Sequence, residues 1–449
     1  MIQPKTYILP AGTEPTAEVV SALIDSQARK KDIRTYNKLE AYYDSQPVVS
    51  RPAPHQVNVI TNHALYIVNT NVGYLLGAPV NYLASDGVNI DELKERYDEQ
   101  TISNLDVELE TDASIYGHSF ERLYLDDNKK KCSTIVDPRE MILVYDDTVQ
   151  HRKMFAIIYS KVYGPDGKEV RGEFNLTILT NKTVQECTLK DNKFTDTDDE
   201  EHPFHGFDEV PVIEYKNNRK RKGDFEPVIT LIDAVNILQS DRVLDREKLV
   251  DAILAITGMT LTDQQKKDLK NGRVISGIPA GADIQYIVKN INEADAETLY
   301  KTLVASIHKI SSTPDMSDEN FANNSSGVAI KYKLLAFEQH IKDKERYFNT
   351  GLMNRMRIYS DGKLDGKTVS AQFTKSLPEN LLEIAQVINN LDGIVSRETL
   401  LALLPFVEDS AEEVESAENE KSERIKQNKT NFGTEKPSEN DDDDGLESL

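Results

Sequence analysis

The chain has 449 residues, 39% of them hydrophobic, and 53 Lys and Arg against 76 Asp and Glu give it a net charge of −23. That length holds two or three modules with a sizeable core. No run approaches the roughly 18 apolar residues of a membrane span, and the opening MIQPKTYILP lacks the basic and apolar regions of a signal peptide, so the expectation is a cytosolic chain with no membrane partner.

Only Cys132 and Cys187 are present, far apart, which excludes a disulfide framework or a cysteine zinc site and leaves two free thiols. The acidic balance has the wrong sign for a protein that neutralises phosphates tightly; if this one meets DNA, the DNA should slide. Residues 406–449 hold 15 acidic and 5 basic residues, so −10 of the charge sits there and −13 on the rest.

In chain order, a Pro/Gly/Thr stretch suits a flexible start, and residues 16–43 then carry Val19, Val20, Leu23 and Ile24 at helical spacing, as a surface helix does. Residues 57–80 read as a helix ended by Gly77 and Pro79, with Leu65, Val68, Val72 and Leu76 on one stripe. Asn62, Asn69 and Asn71 lie on the opposite face; with Asn58 they either meet another subunit or satisfy neighbouring loops of the same chain.

Residues 102–116 are helical in pattern, and beyond Gly117 the text turns to strand. SFERLYLD, the turn DNKKK and CSTIVD form a hairpin, and MILVYDD, KMFAIIYSKVY, EFNLTILT and TVQECTL continue it, so 119–215 is a mostly antiparallel segment. Asp196, Asp198, Asp199, His202 and His205 cluster in an acidic loop without EF-hand spacing, and a plain loop is expected there rather than a metal site. After the strand VPVIEY comes the basic run Arg219, Lys220, Arg221 and Lys222. It reads as a solvated linker or as a partner for the acidic surface of an adjacent subunit, rather than as a DNA contact, because cations gain nothing before a helix N-terminus.

Asp224 is a candidate N-cap and Pro227 a first-turn residue for a helix with Val228, Leu231, Ile232, Val235 and Leu238 on its stripe. Run on to Gly258, it would have roughly 33 residues and span about 50 Å. The interval 258–291 holds the strand-like pieces RVISGI and ADIQYIVKNI, and a second helix follows from Asn292 with Leu299, Leu303, Ile307 and Ile310. The loop PDMSDENFANNSSG leads into a long helix, 328–359, containing Leu334, Leu335, Ile341, Phe348, Leu352 and Met356.

The segment from Gly362 to Thr368 mimics a phosphate-binding loop, but it has three residues between its glycines where four are needed, and it follows a helix. It reads as two turns before the strand TVSAQFTKS, whose partner is expected in the early β-rich region. Two short helices around Gly393 follow, the second capped by Ser396, and the rest should be disordered. Neither H-E-x-x-H nor G-x-S-x-G is present, so no catalytic residue, cofactor or metal is expected.

NHALYIVNTNVGYLLGAPV, DASIYGHSFERLYLD, EVPVIEYKNN, GDFEPVITLIDAVN and NSSGVAIKYKLLAFE, in that order, make the chain resemble the portal proteins of tailed bacteriophages, of the long-tailed type from Gram-positive hosts. The resemblance implies an α+β portal fold: an α/β wing (1–223, with a returning strand at 367–376), a stem helix (224–257), a clip (258–291), a second stem helix (292–312), a tunnel loop (313–327), a long helix (328–366), a crown (377–428) and an acidic tail (429–449). It also implies a ring of twelve copies at one capsid vertex of the virion, assembled in the host cytoplasm, through which double-stranded DNA passes.

Asn320, Asn323, Asn324, Ser325 and Ser326 would then face DNA, or else form an ordinary turn before a helix. Lys266, Lys267, Lys270 and Arg273 of the clip would dock terminase and later the head-tail connector proteins, while capsid and scaffolding proteins meet the wing. A packaging ATPase or nuclease would need a P-loop or convergent carboxylates, and a helical adaptor would be monomeric.

Overall fold

Residues 141–144 and 155–157 are buried without interruption, as in strands whose two faces both meet apolar neighbours. The computed structural model describes residues 5–46, 57–85, 87–195, 203–250, 253–270, 280–287, 293–316, 327–375, 381–401, 403–404, 407 and 410–431. The chain divides into two units, 1–376 and 377–449. The first is an α+β body.

Its larger sheet has six strands in the order β1-β5-β6-β7-β8-β9: β1 (Tyr7–Leu9), β5 (Met141–Asp146), β6 (Lys153–Tyr163), β7 (Glu169–Leu179), β8 (Val184–Lys190) and β9 (Lys193–Thr195). One face places Ile142, Val144, Phe155, Ile157, Leu176 and Ile178 against Val20, Leu23 and Ile24 of α1 (Ala17–Asp25). The other places Met141, Leu143, Ala156 and Leu179 against Phe120, Val136 and Val212. These last belong to a three-stranded sheet, β10 (Val212–Lys216), β3 (His118–Leu125) and β4 (Lys131–Val136), so the hairpin and the antiparallel run stand as expected.

Three readings of the first third change. Part of the supposedly flexible start is β1, paired parallel with β5 from Tyr7↔Val144 to Leu9↔Asp146. The helix of 16–43 is two, α1 and α2 (Gln27–Tyr43), because Ser26 takes an extended ψ of 144° and its hydroxyl accepts the Arg29 N–H that begins the second. Of 57–80 only α3 (His63–Leu76) is helical, capped by Asn62, and Asn81–Ala84 is a strand, β2. The returning strand β13 (Val369–Gln372) pairs with β2, from Val369↔Ala84 to Gln372↔Asn81, and not with the region 119–215. The mimic of a phosphate loop before it is a pair of turns in which Asp365 accepts the N–H groups of Lys367 and Thr368.

Helices α4 (Asp91–Glu99) and α5 (Ile102–Tyr116) lead into β3. Beyond β10 a short 3-10 turn (Glu226–Val228) opens α6 (Ile229–Val250). The expected single helix therefore stops at Val250, and Ile253–Thr257 is a strand, β11, paired antiparallel with β12 (Asp283–Ile287). Between them lies α7 (Asp263–Lys270); RVISGI and the candidate cap Asn292 fall outside the described residues. Next come α8 (Glu293–Ser311) and the 33-residue α9 (Gly327–Tyr359). A further core joins Tyr36, Leu39 and Tyr42 of α2 with Ile67, Val68, Val72, Phe225, Val228, Ile232, Val235 and Ile307. Leu299 and Ile310, read among the apolar residues of α8, and Leu335, read among those of α9, are exposed.

Helix α9 crosses β10 at Gly351, where a Cβ would overlap the Tyr215 ring. Alanine ordinarily favours a helix over glycine by about 1 kcal/mol. Here Gly351→Ala should instead lower stability by about 1–3 kcal/mol, read as a fall in the urea midpoint.

In the second unit, α10 (Leu381–Leu391) and α11 (Arg397–Leu401) flank Gly393, which takes a φ of 79°, and Ser396 caps α11 through the Thr399 N–H. Residues 410–431 form a helix, α12 (Ser410–Asn431), where disorder is expected from composition. Its positions 413–424 are mostly exposed, so local helix propensity rather than burial accounts for it.

Candidate channel and docking elements

Two helices, a small β module between them and a long third helix provide the elements a channel subunit would need. Helices α6 and α8 pack through Ile232, Val235 and Ile307, with Leu303 and Val304 alongside. Near their far ends Arg242 pairs with Glu293 and, at 3.0 Å, with Glu297, and Arg246 approaches Glu293 at 3.4 Å. The β11/β12 pair starts three residues after α6 ends, with Ile253 opposite Ile287. Helix α7 begins in a reciprocal cap: the Thr262 N–H donates to Gln265 Oε1, and the Gln265 N–H to Thr262 Oγ1. Lys266 and Lys267 are exposed on α7 and Lys270 ends it, so these three docking candidates share one helix; Arg273 lies outside the described residues.

The DNA-facing candidates Asn320, Asn323, Asn324, Ser325 and Ser326 also lie outside them, but both flanks are defined. On the near flank Thr313 is buried and its hydroxyl donates to Asn71 Oδ1 at 3.1 Å. On the far flank, α9 enters the body with Leu334, Phe337, Ile341, Phe348, Leu352 and Met356 buried.

Two cations of α9 lie inside that apolar stripe. Lys344 Nζ sits 2.6 Å from Asp224 Oδ2, 2.6 Å from Ser114 Oγ and 3.0 Å from Glu110 Oε1. Burial alone would raise the Asp224 carboxyl, but Lys344, with help from His340 and Asn71, holds it far below the usual carboxylate range. Asp224 also accepts from Asn71 Nδ2 at 2.8 Å and Asn217 Nδ2 at 2.7 Å. It is therefore the buried counter-ion of Lys344 and not the N-cap its position suggests. Eleven residues on, Arg355 donates to Glu121 from Nε at 2.7 Å and to Asp106 from Nη1 at 2.6 Å, and Tyr215 OH donates to Glu121 at 2.7 Å.

A third buried network corrects the reading of the basic run. Arg221 is 2% exposed and grips Glu214 through Nε at 2.5 Å and Nη2 at 3.0 Å, while Arg219, Lys220 and Lys222 remain in solvent. Burial lowers His118 to about 4 against the pull of Glu214, so the ring is neutral. In that form it accepts from Tyr36 OH at 2.7 Å and donates from Nδ1 to Glu214 at 2.8 Å. The asparagines of α3 likewise serve their own chain: Asn62 caps the helix and donates to Tyr43 O, and Asn71 bridges Thr313 and Asp224.

The sequence reading missed these networks, although one signal was available. Ile341, Lys344, Phe348, Leu352 and Arg355 recur at spacings of three and four, which puts the two cations on the apolar face.

Among the described residues no group of three His, Cys, Asp or Glu is placed to hold a metal ion, and His205 is engaged with Thr180 O and the Phe207 N–H. Asp196, Asp198, Asp199 and His202 lie outside the described residues. Cys132 and Cys187 are free. No described helix is long and apolar enough to cross a membrane.

Among known proteins, the portal protein of Bacillus phage SPP1 is 24% identical over 446 aligned positions, covering 91% of this chain and 87% of that protein. The portal protein of Clostridium phage phiCD119 is 25% identical over 218, covering 46% and 48%. The solved structure titled as the neck of an empty GTA particle computed with C6 symmetry covers 87% of this chain and 99% of its own, with a TM-score of 0.46 and 12% identity. The family described as phage portal protein, SPP1 Gp6-like, matches residues 24–427, which take in everything from the end of α1 to most of α12. The chain belongs to that family: it is a phage portal protein.

Proposed function

We propose that twelve copies close head to tail into a ring at one capsid vertex, leaving a passive channel for double-stranded DNA during packaging and ejection. The observation that carries this reading is the continuous order α6, β11/β12 module, α8, connecting segment and α9, with the last helix embedded in the body by two buried cations. In this assignment α6 and α8 are the stem and 251–292 is the clip. Residues 313–326 are the tunnel loop, the α+β body is the wing, and 377–431 is the crown.

A duplex that must move both ways should meet few cations, since each phosphate contact adds salt-sensitive affinity. A chain of net charge −23, with asparagine and serine at the constriction, satisfies that demand. Lys266, Lys267, Lys270 and Arg273 form the docking face for terminase and then for head-tail connector proteins, and the wing meets capsid and scaffold. The ring hydrolyses nothing; terminase supplies the work.

Replacing residues 317–326 by a glycine-serine linker of equal length should leave rings visible by electron microscopy and cut packaged DNA at least roughly tenfold, since the loop makes the constriction but not the ring contacts. Wild-type phage yield would refute the tunnel assignment. ATP hydrolysis by the purified ring would favour the packaging-ATPase reading instead.

A further inference from the structure

Ser312 turns the chain out of α8 with a φ of 57°, and the residues that follow are held by side chains of α3 as well as by the end of α8. The Tyr66 hydroxyl donates to Pro314 O at 2.9 Å and accepts the Met316 N–H at 2.9 Å, using both capacities of a phenol on two backbone groups two residues apart. The Tyr66 ring stands edge-on to the His308 ring with centroids 5.5 Å apart, and His63 stands edge-on to the His308 ring at 5.9 Å. His308 Nδ1 lies 3.0 Å from Thr313 O, and its Nε2 lies 4.0 Å from the Asp315 carboxylate. Thr313, 1% exposed, donates to Asn71, which donates in turn to Asp224.

Exposed connecting segments ordinarily satisfy their backbone with water. Here Met316 is 51% exposed, yet its N–H is taken by a side chain from a helix 250 residues away in sequence. The bracket spans Thr313 to Met316.

We propose that Tyr66 and Asn71 are positioning residues that fix the point at which the chain leaves the body after α8. The inference rests on reading 313–326 as the channel segment and adds what sets its height. In a ring, every copy must release this segment at one level for the copies to define one constriction. A helix end alone would let it vary. The Asn71–Asp224–Lys344 chain ties the same exit point to the root of α6 and to α9, so the two flanks of the segment share one buried carboxylate.

The test uses full-length rings. Tyr66→Phe removes the hydroxyl and keeps the ring against His308. Thr313→Val removes the donor to Asn71, and Thr313→Ser keeps it. Amide exchange followed by mass spectrometry should rise roughly tenfold over 312–316 in Tyr66→Phe and in Thr313→Val, as expected for the loss of a hydrogen bond. It should stay at the wild-type rate in Thr313→Ser. Retained DNA should fall in the first two variants and recover in the third.

Unchanged exchange in both Tyr66→Phe and Thr313→Val overturns the anchor. Faster exchange with full DNA packaging and retention upholds the anchor and overturns the channel reading on which it was built. If Tyr66→Phe forms no rings, the Thr313 pair decides alone: equal exchange in the two refutes the proposal.

Discussion

Arg355→Met is expected to cost the chain about 3–5 kcal/mol, because it leaves two carboxylates buried without their cation. The Asp106 and Glu121 side chains are 5% and 0% exposed, and Arg355 itself is fully buried. The loss should grow with pH. Burial pushes the Asp106 carboxyl up to about 6 from 3.8 while Arg355 pulls it down. A folded-state value above the unfolded one means that proton binding favours the folded chain below the unfolded value, and that this contribution fades as pH rises through about 6.

Without Arg355 the carboxyl moves higher still, so the deficit is greatest above neutrality and narrows toward roughly pH 5, where the variant can protonate instead of holding a bare charge. Urea midpoints of wild type and variant across that range measure it. A deficit below about 1 kcal/mol at every pH would show that the arginine was dispensable.

Gly117→Ala carries the second large effect. Gly117 lies between α5 and β3 with a φ of 88°, its N–H donating to Ala113 O and its carbonyl accepting the Asn217 N–H. A Cβ there would overlap the backbone carbonyl of Arg221, and a Cβ at Gly223 would overlap that of Ile115, so two main chains cross with no room for side chains between them. The positive φ alone costs an L-residue about 1–2 kcal/mol. Overlap with backbone cannot be relieved by a rotamer change, and the total should reach about 3 kcal/mol or more.

The same crossing seats Asp224, whose N–H donates to Ser114 O, so the root of α6 should shift and ring yield fall. Negative-stain counts with the urea midpoint test this, and a variant indistinguishable from wild type in both would contradict the crossing.

The hairpin β3/β4 and the antiparallel run β5 to β8 were legible because each strand is long enough for its pattern to show and its next partner follows within a short turn. Strands β1 and β2 were not, being three and four residues long with partners remote in sequence. Residues 253–257 were read as helix because ILAIT continues an apolar run, and periodicity alone does not separate a short buried strand from a helix. Asp224 and Arg221 have the residue type and position of a cap and a linker; only the return of distant elements reveals them as buried ion-pair partners. The docking candidates Lys266, Lys267 and Lys270 fell on a helix that went unread, since α7 is eight residues long and mostly charged or polar.

The pairing of Arg355 with Asp106 joins residues 249 apart. During translation, at roughly 5–20 residues per second, the acidic partner waits about 12–50 s for its cation to leave the ribosome. The strand β2 waits longer still, for β13. Synthesis therefore completes the helical hairpin before the body can close. A nascent subunit stays conformationally immature until β13, ending at Gln372, has been made.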